Sequence, residues 1–269
     1  NSNYFVTTRK HAEDRSFVLT IMEVLSFDDI PFFNGLLMHL SHYGLPVPAP
    51  QQTLEGMTST TFCDKPTVLV PKLTGEHPKQ ISTNHCNAIG QVLGEIHCAL
   101  ATTYLYRANP FDLDWMFHTI ENLGHELDKE DRLLLDKIAD EYAEISELPL
   151  PKGITHGDLF RDNALFKGEE LTGVIDFYRA CNDFLIQDIA ITINDWCRTE
   201  QNEISAELSE SLLQGYESKR SLEDEERELL PNFQLAACAR FTLTRLLSGS
   251  EGHHLKDPLV YMHLAASLS

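Results

Sequence analysis

A chain of 269 residues, 42% of them hydrophobic, is long enough to form one large domain or two lobes around a cleft. Its formal net charge of −20 argues against nucleic acid and anionic membranes as partners, because their phosphates require a basic surface. No apolar run approaches the ~18 residues of a membrane span. The six scattered cysteines are typical of free thiols in a reducing cytosol, so we expect a cytoplasmic protein.

The N-terminal part of the chain favours β-structure with one helix. Residues 4–23 and 61–70 each predict a β-hairpin, because two runs of β-forming residues flank a polar turn. Between them, Asp29-Ile30-Pro31 predicts the start of a helix, with an acid before it and Pro in its first turn. Because Asn1 leads almost directly into an alternating strand, we expect further strands of this part to precede it.

The pattern becomes mostly helical from residue 82 onward. Apolar residues at helical spacing predict helices over 85–100, 131–145, 186–196, 204–216 and 230–247. In this part we expect only one pair of short strands, 164–166 and 171–175, joined by a polar turn. The chain is therefore predicted to be α+β and bilobal. A β-rich N-terminal lobe (1–73), lacking its first strands, packs against a mainly helical C-terminal lobe (74–269), with the ligand cleft between them.

The segment 156–163, followed by 174–177, contains the most informative motif. Asp158 and Asn163 lie five residues apart, and Asp176 follows thirteen residues later. Phosphoryl transfer needs an acid that accepts a hydroxyl proton and oxygen ligands for magnesium. The short hairpin brings Asn163 and Asp176 together, so they can share one ion beside Asp158. Taken singly, each residue is equally typical of a loop cap or turn; the combined spacing favours phosphotransfer.

This motif resembles that of the kinase-like superfamily of aminoglycoside phosphotransferases and choline kinases, which implies a protein-kinase-like fold with ATP and Mg²⁺ as cofactors. Carried over position by position, the resemblance makes Asp158 the catalytic base and Asn163 and Asp176 the magnesium ligands. It also implies that His156 fixes the catalytic loop and that Asp188 braces the loop backbone.

The connector between the predicted lobes suits an adenine ring. In the kinase-like arrangement the Pro71 carbonyl accepts the adenine amino proton and the Leu73 N–H donates to the ring. Pro is permitted at residue 71 because only its carbonyl is needed. Leu165 and Ile175, beside the two metal ligands, would form the floor of the pocket. The alternative for these apolar residues is an ordinary core position.

A second, narrower resemblance comes from residues 175–197, which are similar to bacterial homoserine kinases related to aminoglycoside phosphotransferases. Shorter matches at 30–33, 44–48, 93–97 and 240–246 agree with it. Such enzymes transfer the γ-phosphate of ATP to the hydroxyl of L-homoserine in threonine biosynthesis, so a small-molecule substrate is expected. The polar candidates for binding it are Tyr178, Arg179, Asn182, Asn194, Asp195 and Arg240, with Arg245 nearby. A structural ion pair is the alternative role for Arg240 and Arg245.

Two departures from the wider kinase pattern leave alternatives open. Thr20 stands where a phosphate-pairing Lys is expected, and Phe33 stands where its Glu partner is expected. The glycine-rich loop over the phosphates would lie before Asn1. One alternative is a kinase of another small hydroxylated amine, a sugar or choline. The other is a nucleotide-binding pseudokinase, which the missing Lys favours and the intact transfer motif disfavours.

Overall fold

The structure, a computed structural model, describes residues 1–10, 13–250 and 257–269. Its N-terminal part is a four-stranded antiparallel sheet in the order β1-β2-β4-β3. The strands are β1 (Ser2–Lys10), β2 (Glu13–Ile21), β3 (Thr60–Phe62) and β4 (Lys65–Pro71), and helix α1 (Ile30–His42) lies between β2 and β3 in the chain. Both predicted hairpins and the predicted helix are confirmed. Residues 11 and 12, inside the first predicted turn, lie outside the described residues.

Helices dominate the rest of the chain. They are α2 (Thr83–Leu100), α3 (Leu113–Leu123), α4 (Lys129–Ser146), α5 (Leu185–Trp196), α6 (Ala206–Glu217), α7 (Asp224–Ser250) and α8 (Leu259–Leu268). Four short strands lie among them: β5 (Lys152–Thr155), β6 (Ala164–Lys167), β7 (Glu170–Val174) and β8 (Cys181–Phe184). Single 3-10 turns cover Gly124–Glu126, Arg161–Asn163 and Phe177–Arg179.

The expectation of one strand pair in the helical part is wrong. β6 pairs with β7 as predicted, but β5 and β8 form a second antiparallel pair with Thr155 opposite Cys181. Helices α3 and α8 are also additional to those predicted, and α7 begins at Asp224 and continues through Pro231. The missed strands are four residues each and lack a regular alternation of buried and exposed residues.

Helix α2 is the central support of the helical part. It is capped by Ser82, whose hydroxyl accepts the His85 N–H while the His85 side chain accepts the Ser82 N–H. It also crosses α6 very closely, since a methyl group at Gly90 would lie 2.0 Å from the Leu212 carbonyl oxygen. Ile89, Val92 and Leu93 on the same helix enter the main hydrophobic core. Within the described ranges, no helix is both long and apolar enough to span a membrane.

Candidate active site

The β6–β7 hairpin places Asn163 and Asp176 next to each other. Ala164 pairs with Val174 at the open end of the hairpin, and the Ile175 N–H donates to the Asn163 carbonyl at 2.9 Å. Asn163 therefore lies just before one strand and Asp176 just after the other. Because the turn of the hairpin is at the opposite end, the two side chains share the edge that faces the cleft.

Asn163 also ties this edge to Asp158. Its Nδ2 donates to the Asp158 carbonyl at 2.7 Å and lies 3.5 Å from the Asp158 carboxylate Oδ2. With the amide nitrogen used in this way, the Oδ1 of Asn163 is the atom left for an external ligand. The structure thus brings the three residues of the motif together through one hairpin and one hydrogen bond.

Asp176 has an unusual backbone conformation, with φ 64° and ψ 58°. Asp is among the few residues other than Gly that adopt this left-handed region readily. The conformation ends β7 abruptly and leaves the carboxylate exposed in the cleft. Among the described residues, Asp176 alone lines both of the cavities that meet there. A backbone held in a sparsely populated region is typical of a functional position.

The loop that contains Asp158 is held by a buried carboxylate on α5. Asp188 accepts the backbone N–H groups of His156 at 2.6 Å and Gly157 at 2.9 Å, and it also accepts from His97 Nε2 at 3.1 Å. His97 in turn bonds the Tyr216 hydroxyl through Nδ1 at 2.8 Å. Gly157 has φ +74°, which favours glycine, so the loop turns sharply where Asp188 holds it.

His156 acts within the loop as a fixed neutral ring. Its Nε2 donates to the Ile175 carbonyl at 3.1 Å, while Nδ1 accepts the Asp158 N–H at 3.3 Å. Burial lowers the pKa of His156, which keeps the ring uncharged at neutral pH. The ring therefore joins the Asp158 and Asp176 segments and supports both of them.

The carboxylate of the loop, Asp158, and the carboxylate that holds the loop, Asp188, differ in their pKa. Burial, with the nearby charge of Asp176, raises the pKa of Asp158 to about 7, although Arg240 and Arg179 oppose the rise. Burial would also raise the pKa of Asp188, but its hydrogen bonds, led by the bond from His97, hold that pKa below its ordinary value. Asp188 thus stays ionised as a structural acceptor, whereas Asp158 is poised to gain and lose a proton near neutrality.

A cavity of about 350 Å³ lies on the β-sheet side of Asp176. All four residues predicted to contact adenine line it. The lining consists of Asn3, Phe5, Val18, Thr20, Pro48, Val70, Pro71, Lys72, Leu73, Gly75, His77, Leu165, Ile175, Asp176 and Tyr178. Its apolar floor is formed by Leu165 on β6 and Ile175 directly after β7, and its edge by the end of β4 and the connector that follows. We call it the sheet-side cavity.

A second cavity, of about 340 Å³, lies on the helical side of Asp176. Asp158 and Asn163 face it together with three arginines. The lining consists of Phe111, Asp158, Phe160, Asp162, Asn163, Asp176, Arg179, Arg240, Phe241, Thr244, Arg245 and Ser248. Three arginines and three aspartates thus face this helix-side cavity, so it offers partners to both anionic and cationic groups.

A sequence profile of the phosphotransferase enzyme family matches residues 1–227. The chain belongs to this family. The homoserine kinase of Pseudomonas aeruginosa is 38% identical over 263 residues, which is 97% of this chain and 82% of that enzyme. The homoserine kinase of Neisseria meningitidis serogroup B is 36% identical over 273 residues, covering 100% of this chain and 88% of that enzyme. The predicted resemblance is confirmed, and the chain groups with the homoserine kinases of the family.

Solved structures agree on the fold. Amicoumacin kinase, in complex with AMP-PNP, Ca²⁺ and Ami, superposes with a TM-score of 0.76 at 16% identity, over 99% of this chain and 84% of that chain. A choline/ethanolamine kinase family protein from Mesorhizobium loti gives 0.67 at 13% identity, over 98% of this chain and 86% of that chain. The predicted α+β, bilobal, kinase-like fold is therefore confirmed.

The predicted substrate residues fall into different places. Arg179 and Arg240 line the helix-side cavity, and Arg245 lies at the same wall. Tyr178 lines the sheet-side cavity instead. Asn194 is buried and exchanges two hydrogen bonds with Gln234, which join α5 to α7. The amide of Asn194 is thus used between helices, so we leave it out of the acceptor site.

Asn182 and Asp195 also have other partners. The Asn182 side chain accepts the Arg107 N–H at 2.9 Å, and the Asp195 carboxylate accepts the Arg161 N–H at 2.8 Å. Both side chains hold loops beside the site, and neither belongs to the described lining of the helix-side cavity. We therefore replace them, as acceptor candidates, with the residues of that lining.

Thr20, at the position of the expected phosphate-pairing Lys, belongs to a group of uncharged side chains. Thr20 is buried on β2, and its hydroxyl donates to the Asn3 side chain at 2.8 Å. Tyr178 packs edge-on against Phe33 with ring centroids 5.7 Å apart. Burial raises the pKa of Tyr178 to about 12, and a hydrogen bond with Thr20 partly opposes the rise. A neutral cluster thus occupies the place of the Lys–Glu ion pair.

Sequence reasoning missed several residues of the site. Phe111 and Asp162 line the helix-side cavity, and His97 supports Asp188 from α2. Phe111 precedes α3, which the sequence pattern did not predict. Thr244 and Ser248 on α7 were also missed, although the sequence contained a signal for them. They follow Arg240 at intervals of four residues and so share one helical face with it.

Proposed function

We propose that this protein is an ATP-dependent kinase that phosphorylates the hydroxyl of L-homoserine to O-phospho-L-homoserine, a step of threonine biosynthesis. The similarity to homoserine kinases over 97% of the chain carries the choice of acceptor. The geometry supports the reaction class, because a potential base and two oxygen donors lie where two cavities meet.

The sheet-side cavity is the proposed nucleotide site. Pro71 and Leu73 lie along its edge, where an extended backbone can offer a carbonyl and an N–H to the adenine edge. Leu165 and Ile175 supply an apolar floor for the ring. Leu165 lies shortly after Asn163, and Ile175 directly precedes Asp176. An adenine ring on this floor therefore has its phosphates near the Asp176 carboxylate, which lines both cavities.

Asn163 and Asp176 are the proposed magnesium ligands, and their chemistry fits the ion. Magnesium prefers hard oxygen donors and is usually held by one or two carboxylates together with substrate phosphates. The described residues contain no cluster of three or more His, Cys, Asp or Glu that could hold a metal alone. The site is thus suited to an ion that arrives with a nucleotide. When bound, magnesium would neutralise charge on the phosphates.

Asp158 is the proposed base. It lies in the helix-side cavity with Asn163 holding its backbone carbonyl, so the carboxylate faces the space in which an acceptor would sit. As the acceptor oxygen forms its bond to the γ-phosphorus, the bond from that phosphorus to the β–γ bridging oxygen breaks and the hydroxyl proton passes to Asp158. A pKa of about 7 suits both the uptake and the later release of that proton.

We also infer the limits of the two lobes. The four-stranded sheet with α1 corresponds to the N-terminal lobe, residues 1–73, and the helical part to the C-terminal lobe, residues 74–269. Both proposed metal ligands and the proposed base lie in the second lobe. The first lobe contributes β1, β2, β4 and the start of the connector to the nucleotide cavity.

An acceptor panel tests the proposal. Purified protein is incubated with ATP and magnesium and with L-homoserine, choline, ethanolamine or a simple sugar, and ADP release is followed together with the phosphorylated product by mass spectrometry. We expect L-homoserine to give the highest kcat/KM. A clear preference for another acceptor would assign a different small-molecule kinase. Nucleotide binding without acceptor-dependent ADP release would assign a pseudokinase.

A further inference from the structure

Arg240 has an unusual environment for a charged side chain. It lies on α7, is 6% exposed and lines the helix-side cavity. Its Nε is buried without a hydrogen-bond partner, and no ion pair within 4 Å is found for its guanidinium among the residues that the structure describes. The Phe111 and Phe241 rings flank it, with centroids 4.5 Å and 4.8 Å from its central carbon.

A buried cation is unfavourable unless an anion pairs with it. The two flanking rings offer a cation–π attraction that offsets part of the lost hydration. Asp158 and Asp183 act on Arg240 through their charge, but neither forms an ion pair with it. Asp183 is already bonded, since it accepts from Asn109 at 3.0 Å and from the Phe184 N–H at 2.8 Å. The arginine is therefore arranged to receive an external anion.

The position of Arg240 indicates that this anion is part of the acceptor molecule. It lies in the helix-side cavity, and it is not part of the described lining of the sheet-side cavity. Thr244 and Ser248 line the same cavity on the same helical face. Their hydroxyl protons are donated to the Phe241 and Thr244 carbonyls of the helix, so their oxygens remain as acceptors. An acceptor whose hydroxyl faces Asp158 has its other end available to this face.

We propose that Arg240 binds the carboxylate of the acceptor and is the residue that selects an amino acid over an amino alcohol. The inference rests on the proposed function, because it takes L-homoserine as the acceptor. A guanidinium presents two parallel N–H donors that match a carboxylate, which Lys does not reproduce. The pocket thus recognises one end of the molecule by charge while the other end reacts.

The test compares two acceptors and three proteins. The acceptors are L-homoserine and 3-aminopropan-1-ol, which is homoserine with hydrogen in place of the carboxylate. Wild type, Arg240→Met and Arg240→Lys are assayed with ATP and magnesium. We expect Arg240→Met to lower kcat/KM for homoserine roughly 10- to 100-fold more than for the amino alcohol, as for loss of a charged hydrogen bond. Arg240→Lys should give a smaller excess loss.

The ratio of the two acceptors isolates the carboxylate contact. Any effect of Arg240 on Asp158 or on the γ-phosphate is common to both acceptors and cancels. The inference is overturned if the ratio of kcat/KM for homoserine to kcat/KM for the amino alcohol in Arg240→Met stays within about twofold of the wild-type ratio. It is also overturned if calorimetry gives wild type and Arg240→Met the same affinity for L-homoserine. A wild-type protein inactive on homoserine would instead overturn the proposed function.

Two controls separate recognition from a structural role. Arg227→Met removes an exposed arginine of the same helix, outside both described cavities, and should leave the ratio unchanged. In thermal unfolding without ligand, Arg240→Met should be at least as stable as wild type, since Met fills a similar volume without an unpaired charge. A large fall in its unfolding temperature would show that Arg240 is structural and would contradict the proposal.

Discussion

The carboxylate of Asp188 is predicted to hold the catalytic loop, and Asp188→Asn tests this with almost no change of shape. The carboxylate accepts three hydrogen bonds, from His156 N–H, Gly157 N–H and His97 Nε2, at 2.6, 2.9 and 3.1 Å. An amide has only one acceptor oxygen. In either orientation of the amide, at least one of these buried donors therefore faces an NH₂ group.

The magnitude follows from these hydrogen bonds. A hydrogen bond to a charged group contributes about 1.5–3 kcal/mol, and a buried donor left unpaired costs about 1–3 kcal/mol. Because one hydrogen bond is removed and the other two no longer involve a charge, we expect Asp188→Asn to lower the free energy of unfolding by about 3–5 kcal/mol. For a chain of this size that corresponds to a fall in Tm of roughly 6–20 °C.

Thermal unfolding followed by circular dichroism measures the change, with Asp140→Asn on the exposed face of α4 as a matched control. The pKa of Asp188 is lowered in the folded protein, so its stabilisation is present above its unfolded pKa of about 3.9 and is lost as the pH falls through the folded value. The difference between wild type and Asp188→Asn should thus shrink below about pH 4. Equal Tm values for the variant and its control at pH 7 would refute the reasoning.

Further predictions concern the transfer site itself. Asp158→Asn should lower kcat by roughly 10²- to 10⁴-fold with nucleotide affinity unchanged in calorimetry, because only the base is removed; normal turnover would rule out Asp158 as the base. Asp176→Asn should weaken binding of magnesium–ATP, measured by the same titration at several magnesium concentrations, since a ligand charge is lost. The pKa of about 7 for Asp158 predicts that kcat/KM rises with pH through neutrality, as the base must be ionised, and a flat profile from pH 6 to 8 would contradict this. Gly157→Ala should destabilise the protein by about 1–2 kcal/mol in chemical denaturation, because its φ of +74° strains a side chain.

The local parts of the site were predictable from the sequence. Asp158, Asn163 and Asp176 are joined by one short hairpin, so their proximity follows from strand pairing between neighbours in the chain. Leu165 and Ile175 belong to the same hairpin, and their place beneath the sheet-side cavity follows with it. In each case the residues are so close along the chain that the hairpin also determines their distance in the folded protein.

Parts that depend on distant segments were not predictable in the same way. Strand β5 pairs with β8 across an intervening loop and hairpin, and each strand is too short to show a period. The helix-side cavity joins Phe111, before α3, to Arg240 on α7, and only the packing of the helices brings them together. The sequence showed that Asn194 and Asp195 are polar but not where their side chains point. In the structure Asn194 bonds Gln234, and Asp195 bonds the Arg161 N–H.

The proposed ion ligands flank the two strands of one ribbon, β6 and β7, and this ribbon is also bonded to the N-terminal part, since the Val174 N–H donates to the Pro46 carbonyl at 2.8 Å. A movement of the N-terminal part against the helices would therefore also act on the hairpin beside Asn163 and Asp176, so the covering of a nucleotide and the alignment of its ion ligands would be coupled.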